Sequence, residues 1–117
     1  MTFHVGGIHH VTIVVNDLDA ARRFYGDGLG LDEIDRPDFE AQGFWLQLGA
    51  QQLHVSQGDE AAPSRNHIAL SVEGLDNAVA HLEAQGNPVR RGRDIVGAGR
   101  QAFLRDPWGN LIELNEQ

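Results

Sequence analysis

A chain of 117 residues, 41% hydrophobic and 22% charged, is long enough to form one domain with a buried core and needs no disulfide or metal merely to fold. It has no Cys and no Lys, its nine cations all being Arg, which excludes a disulfide scaffold, a thiolate nucleophile, an iron–sulfur or Cys-type zinc site, Schiff-base chemistry and a P-loop lysine. The net charge of -8 excludes nucleic acid and anionic membranes as partners, and with neither a signal pattern nor an apolar run near roughly 20 residues the chain is expected to be soluble and cytoplasmic.

In chain order, Ile8–Val15 (IHHVTIVV) is apolar and β-branched and reads as a strand. Asn16 and Asp17 can cap a helix begun directly after them. Leu18, Ala21, Phe24 and Tyr25 recur at helical spacing, which predicts a helix from about Leu18 to Asp27, ended by Gly28 and Gly30. Strands are expected at about Leu31–Arg36, Phe44–Leu48 and Gln52–Ser56, with Gly49-Ala50 turning the last two into a hairpin. Gly58–Arg65 is polar, carries Pro63 and reads as a linker. Beyond it, His67–Val72 reads as a strand, and Leu75, Val79 and Leu82 as a helix stopped by Gly86 and Pro88. Val89–Arg93, Gln101–Arg105 and Leu111–Asn115 read as three further strands, the last two joined by the turn Asp106-Pro107-Trp108-Gly109-Asn110.

The second half repeats the first without a gap. From residue 10 to residue 67 the offset is 57, and at that offset His10 meets His67, Val15 meets Val72, Leu18 meets Leu75, Asp19 meets Asp76 and Ala21 meets Ala78. The layout is βαβββ twice, an α+β chain of two modules, about 7–57 and about 66–117, within a single domain spanning 1–117. Neither module can cover its own sheet, so the two must pack together or pair with another chain.

The repeat singles out polar residues on apolar strands. His10 and His67 hold the same place on the first strand of each module. His54 and Glu113 hold the same place on the last, 44 residues beyond His10 and 46 beyond His67 (54 − 10 and 113 − 67). Imidazole and carboxylate are ligands that zinc, iron, nickel and manganese accept. A buried Glu113 would be costly unless paired or on a metal. His9 should face away from His10, and His4 and His81 read as solvated. In phase with the ligand candidates stand Thr12, Val14, Ala69, Ser71 and Arg105 or Phe103, which should line the same face; Phe44, Trp45 and Trp108 are candidates for an aromatic wall.

At these residues the sequence resembles the vicinal oxygen chelate superfamily, which includes glyoxalase I, bleomycin- and fosfomycin-resistance proteins, methylmalonyl-CoA epimerase and extradiol dioxygenases. IHHVTIVVNDLDAARRFYGDGLGL looks like its opening strand, helix and glycine turn, HIALSVEGLD like the second copy, and FLRDPWGNLIELNE like its closing hairpin. The resemblance implies two βαβββ modules forming a cupped mixed sheet around one divalent ion (Zn, Ni, Mn or Fe(II)), in a homodimer with sites at the interface. It implies His10, His67 and Glu113 as ligands. The fourth ligand position, usually Glu or Gln in glyoxalase I and epimerases, is here His54. The fosfomycin thiol transferases have similar ligand spacing, but use a basic loop and an Arg beyond the Glu; with no Lys and four residues after Glu113, this chain is not expected to be one of them.

The reaction implied is bidentate binding of a small oxygen-chelating substrate to the ion, then an isomerase or lyase step through an enolate-type intermediate with Glu113 as base. The alternatives are an Fe(II) extradiol-type ring-cleavage dioxygenase in which His54 does the acid–base work, and a small-molecule (antibiotic) binding protein without turnover. Thr12, Trp45, Ser71, Phe103 and Arg105 are the expected substrate contacts.

Overall fold

Alternation along each strand decides which side chains are buried, and so which remain on the open face. The structure is a computed structural model that describes residues 4, 6–62, 65–93 and 96–117. The chain divides into two compact units, Met1–Glu60 and Ala61–Gln117. Pro63 and Ser64 of the expected linker lie outside the described residues.

The first unit runs β1 (His10–Val15), α1 (Leu18–Ala21) continuing as a π-helical stretch (Arg22–Gly28), β2 (Asp32–Ile34), β3 (Gly43–Leu48) and β4 (Gln51–Gln57). The second runs β5 (His67–Ser71), α2 (Leu75–Ala84), β6 (Arg90–Arg91), β7 (Arg100–Arg105) and β8 (Leu111–Glu116). Each unit holds one mixed four-stranded sheet in which the first strand pairs parallel with the last: β1-β4-β3-β2 and β5-β8-β7-β6. The sequence repeat is therefore a repeat of topology.

One face of each sheet is covered by its helix and is apolar. In the first unit Ile13, Val15, Phe44, Leu46, Leu53 and Val55 are buried with Ala21, Phe24 and Tyr25 of the helix. In the second, Ala102, Leu104, Ile112 and Leu114 are buried with Leu75, Val79 and Leu82. Each large apolar side chain removed from water contributes roughly 1.5–3 kcal/mol. The opposite, open face carries the polar candidates.

Several boundaries differ from the sequence expectation. β1 starts at His10, and Ile8 is 68% exposed. The first helix is α-helical for four residues and then widens: Leu29 N–H donates to the Phe24 carbonyl, an i→i+5 bond. It closes where Leu31 N–H reaches the Tyr25 carbonyl around Gly30, whose φ of 72° suits glycine. The outer strands β2 and β6 are three and two residues long, shorter than the expected Leu31–Arg36 and Val89–Arg93. Asp17 caps α1 as expected, accepting from Ala20 N–H at 3.0 Å. Among the described residues no helix is long and apolar enough to cross a membrane.

Candidate functional site

Register brings the candidates of the first unit together. Across the parallel pair Thr12 lies opposite His54, and across the β3–β4 hairpin Trp45 lies opposite His54, so the three form a row on the open face. The His54 ring stacks on Trp45 (centroids 3.9 Å apart, planes 2° apart) on one side and on His10 (4.0 Å, 16°) on the other. Sandwiched in this way, it is 8% exposed. Burial pushes the His54 imidazole below its ordinary pKa, and nearby His10, His9 and Arg36 push it the same way. It is therefore neutral at pH 7, the form that ligates metals. Its Nε2 lies 2.9 Å from Gln52 Oε1. With Nε2–H donating there, Nδ1 keeps its lone pair.

His9 is placed differently from the expectation. It precedes β1 rather than belonging to it, and its ring meets His10 edge-on with the two Nδ1 atoms 2.9 Å apart. Phe44 is no part of an aromatic wall on the open face. It faces the helix, 2% exposed, with the Arg22 guanidinium 4.5 Å above its ring. Its neighbour Trp45 takes the open face because consecutive strand residues point opposite ways.

The second unit repeats the row with different chemistry: Ala69 opposite Glu113, and Glu113 opposite Phe103. His54 and Glu113 are thus equivalent in register as well as in sequence. Each lies opposite the residue two places after the first-strand histidine. Glu113 is 7% exposed. Its Oε2 accepts from Asn115 Nδ2 at 2.9 Å and Gln101 Nε2 at 3.4 Å, and its Oε1 stands 3.3 Å from His67 Nε2. Among the described residues no arginine pairs with it. His67 Nδ1 lies 3.0 Å from the Arg65 carbonyl, and a proton donated there leaves Nε2 as the nitrogen facing the carboxylate. Two electron-rich atoms at that distance call for a cation between or beside them, a proton or a metal ion.

These contacts are the test of whether the residues suit a divalent ion, and they suit it: two imidazoles with a free nitrogen, and a buried carboxylate held by neutral amides. Each unit brings together a pair of candidates, and among the described residues no group of three or more His, Asp or Glu is clustered as a ligand set. Ser71 and Arg105 are exposed on the same open face of the second unit, Arg105 donating to the Gly109 carbonyl at 2.8 Å. Asn115, Gln101 and Gln52, which orient Glu113 and His54, are not singled out by the sequence pattern. Their signal is phase alone, since each sits two positions from a candidate or directly across from its neighbour.

Comparison with known proteins places this geometry in context. The sequence pattern of the Glyoxalase/Bleomycin resistance protein/Dioxygenase superfamily matches residues 7–114. The uncharacterized protein YaeR of Escherichia coli is 33% identical, over 94% of this chain and 95% of its own length. A crystal structure of a Bacillus anthracis protein provisionally assigned to the glyoxalase family superposes with a TM-score of 0.90 at 29% identity, covering 100% of this chain and 99% of that one. The fosfomycin resistance protein FosX of Listeria monocytogenes, solved with Mn(II) and 1S,2S-dihydroxypropylphosphonic acid, superposes with a TM-score of 0.86 at 21% identity, over 97% and 93% of the two chains.

Proposed function

The chain belongs to the Glyoxalase/Bleomycin resistance protein/Dioxygenase superfamily, and from that premise we propose that it is a divalent-metal-dependent isomerase or lyase acting on a small substrate with neighbouring oxygens. The observation that carries the reading is the equivalence of two pairs. His10 with His54, and His67 with Glu113, occupy matching register positions in two units of the same topology. We assign these four residues as the ligands of one ion, drawn from both units, in a homodimer whose partners complete each other's sites. The manganese held by FosX supports a metal in this fold.

A bound divalent ion would supply Lewis acidity toward the substrate's oxygens. The chain's own residues do the rest. Glu113, oriented by the Asn115 and Gln101 amides, takes the proton from the carbon beside the polarised carbonyl, leaving an enolate-type anion on the substrate. In an isomerase acting on a 2-hydroxy carbonyl compound it returns that proton to the former carbonyl carbon, while the proton of the neighbouring hydroxyl passes to the former carbonyl oxygen, so that carbonyl and hydroxyl exchange places. Thr12 and Ser71 offer hydroxyls, and Trp45 and Phe103 offer apolar walls, from the face that carries the ligands. Arg105 stands on that face as a cation for the substrate.

A second reading is favoured by His54 itself, a buried, neutral imidazole at the position where glyoxalase I carries Glu or Gln. In a dioxygenase of the extradiol type His54 is the acid–base and the other three are the ligands. The experiment is a metal titration of the protein and of His10→Ala, together with solvent-deuterium exchange into candidate 2-oxo substrates and oxygen uptake with Fe(II) and a catechol. Stoichiometric metal, lost in the variant, with exchange and no oxygen uptake is expected. Oxygen uptake would turn the assignment to the dioxygenase, and no metal binding at all would leave a binding protein.

A further inference from the structure

The two sheets differ in charge at a place the repeat does not require. The open-face row of the first unit ends on Ile34, opposite Trp45, whereas that of the second ends on Arg90, opposite Phe103. The Arg90 guanidinium carbon lies 4.8 Å from the Phe103 centroid. Among the described residues the Arg90 guanidinium has no ion pair or hydrogen bond, while those of its neighbour Arg91 and nearby Arg100 are both bonded to Asp76. Beside Arg90, at the end of β7, opens a cavity of about 430 Å³ lined also by Pro88, Val89, Phe103, Leu104, Arg105 and Leu111, all of the second unit. The lining has two guanidiniums, apolar walls and no carboxylate. A cavity of this size suits a small molecule.

We propose that this cavity binds the anionic end of the substrate, a carboxylate or phosphoryl group on a short apolar body, with Arg90 as the anion's partner. An arginine laid on an aromatic ring keeps its N–H edge turned outward, the geometry that grips a carboxylate or phosphoryl group through two oxygens. The chain carries a net charge of -8, so no general field draws anions in, and a local site must hold them. Arg90 and Glu113 share a row two strands apart, roughly 10 Å from backbone to backbone at the usual strand spacing. One small molecule can therefore offer its anion to Arg90 and its oxygens to the Glu113 end. That last link rests on the proposed metal function, whereas the anion site does not.

The test is an NMR titration of the metal-free, ¹⁵N-labelled full chain with phenylphosphonate, phenylacetate and the neutral 2-phenylethanol, using wild type, Arg90→Gln and Arg90→Lys. Zinc binding to each protein is measured separately by calorimetry. The expected result is shifts at the amides of Arg90, Phe103 and Leu111 with the anions, affinity at least about tenfold weaker in Arg90→Gln and partly recovered in Arg90→Lys, and no difference among the three for the alcohol. The tighter of the two anions assigns the substrate as carboxylate or phosphoryl. Equal anion affinity in Arg90→Gln, or shifts centred on Arg91 and Arg100 instead, overturns the proposal. Anion binding at Arg90 without zinc binding upholds this site while overturning the metal function; zinc binding without anion binding does the reverse.

Discussion

Glu113 and His67 face each other at 3.3 Å with their outer atoms already committed, the carboxylate to Asn115 and Gln101, the imidazole to the Arg65 carbonyl. Such outer partners fix the orientation of a ligand and its lone pair. Asn115→Ala is therefore expected to weaken divalent-metal binding by about 10–100-fold without unfolding the protein, and Glu113→Gln to weaken it further. Calorimetric titration with Zn(II), with circular dichroism as the check on folding, measures both. The faces of one strand separate site from core in the same way. Leu46→Ala, on the helix-covered face, should cost about 2–5 kcal/mol of stability, read by denaturant unfolding. Trp45→Ala, one residue away on the open face, should instead alter His54 and the site. The four ligand candidates stand out in the sequence because His54 and Glu113 interrupt apolar strands and His10 and His67 head them, at matched positions. Arg90 was not, because a two-residue strand has no periodicity of its own; only its pairing with Phe103 sets its face.

The elements were legible wherever burial is one-sided and long. β1, β3, β4, β7 and β8 alternate over six or seven residues, and their positions agree with the pattern. The widening of the first helix was not legible, since it depends on which carbonyl the Leu29 amide reaches rather than on side-chain spacing. Nor was the cap of α2. Gly74 has no side chain to offer, and the amides of Gly74 and Leu75 are taken by Glu116 Oε2, 2.9 and 2.8 Å away, from the far end of the chain. The Leu75 amide hydrogen bond, with Arg100 and the Gly74 amide, holds the Glu116 carboxyl below its ordinary pKa of 4.5. A carboxyl depressed in the folded state stabilises above its unfolded pKa, and that contribution is lost as pH falls through the folded value. Thermal unfolding of wild type and Glu116→Gln should thus differ most above pH 4.5 and converge in more acid solution. At α1, Asp17→Ala should cost about 1 kcal/mol through loss of its cap.

At the scale of the whole molecule, the two units share one topology but have diverged in chemistry: His54 against Glu113, Ile34 against Arg90. On the proposed metal function, the histidine at the head of the first strand of each unit, His10 and His67, has the same role. A homodimer in which each site draws one unit from each chain makes a specific prediction. His10→Ala and Glu113→Ala proteins, each unable to bind metal, should regain one site per mixed dimer when unfolded together and refolded, because one of the two sites then has both units intact. Sites built within one chain would regain nothing. The most direct test of the shared ion is a crystal structure of the zinc-loaded protein with anomalous diffraction at the zinc edge. One peak within about 2.0–2.2 Å of a nitrogen of His10, of His54 and of His67 and an oxygen of Glu113 is the predicted result. A zinc peak held by other residues, or no peak at these four side chains, would contradict it.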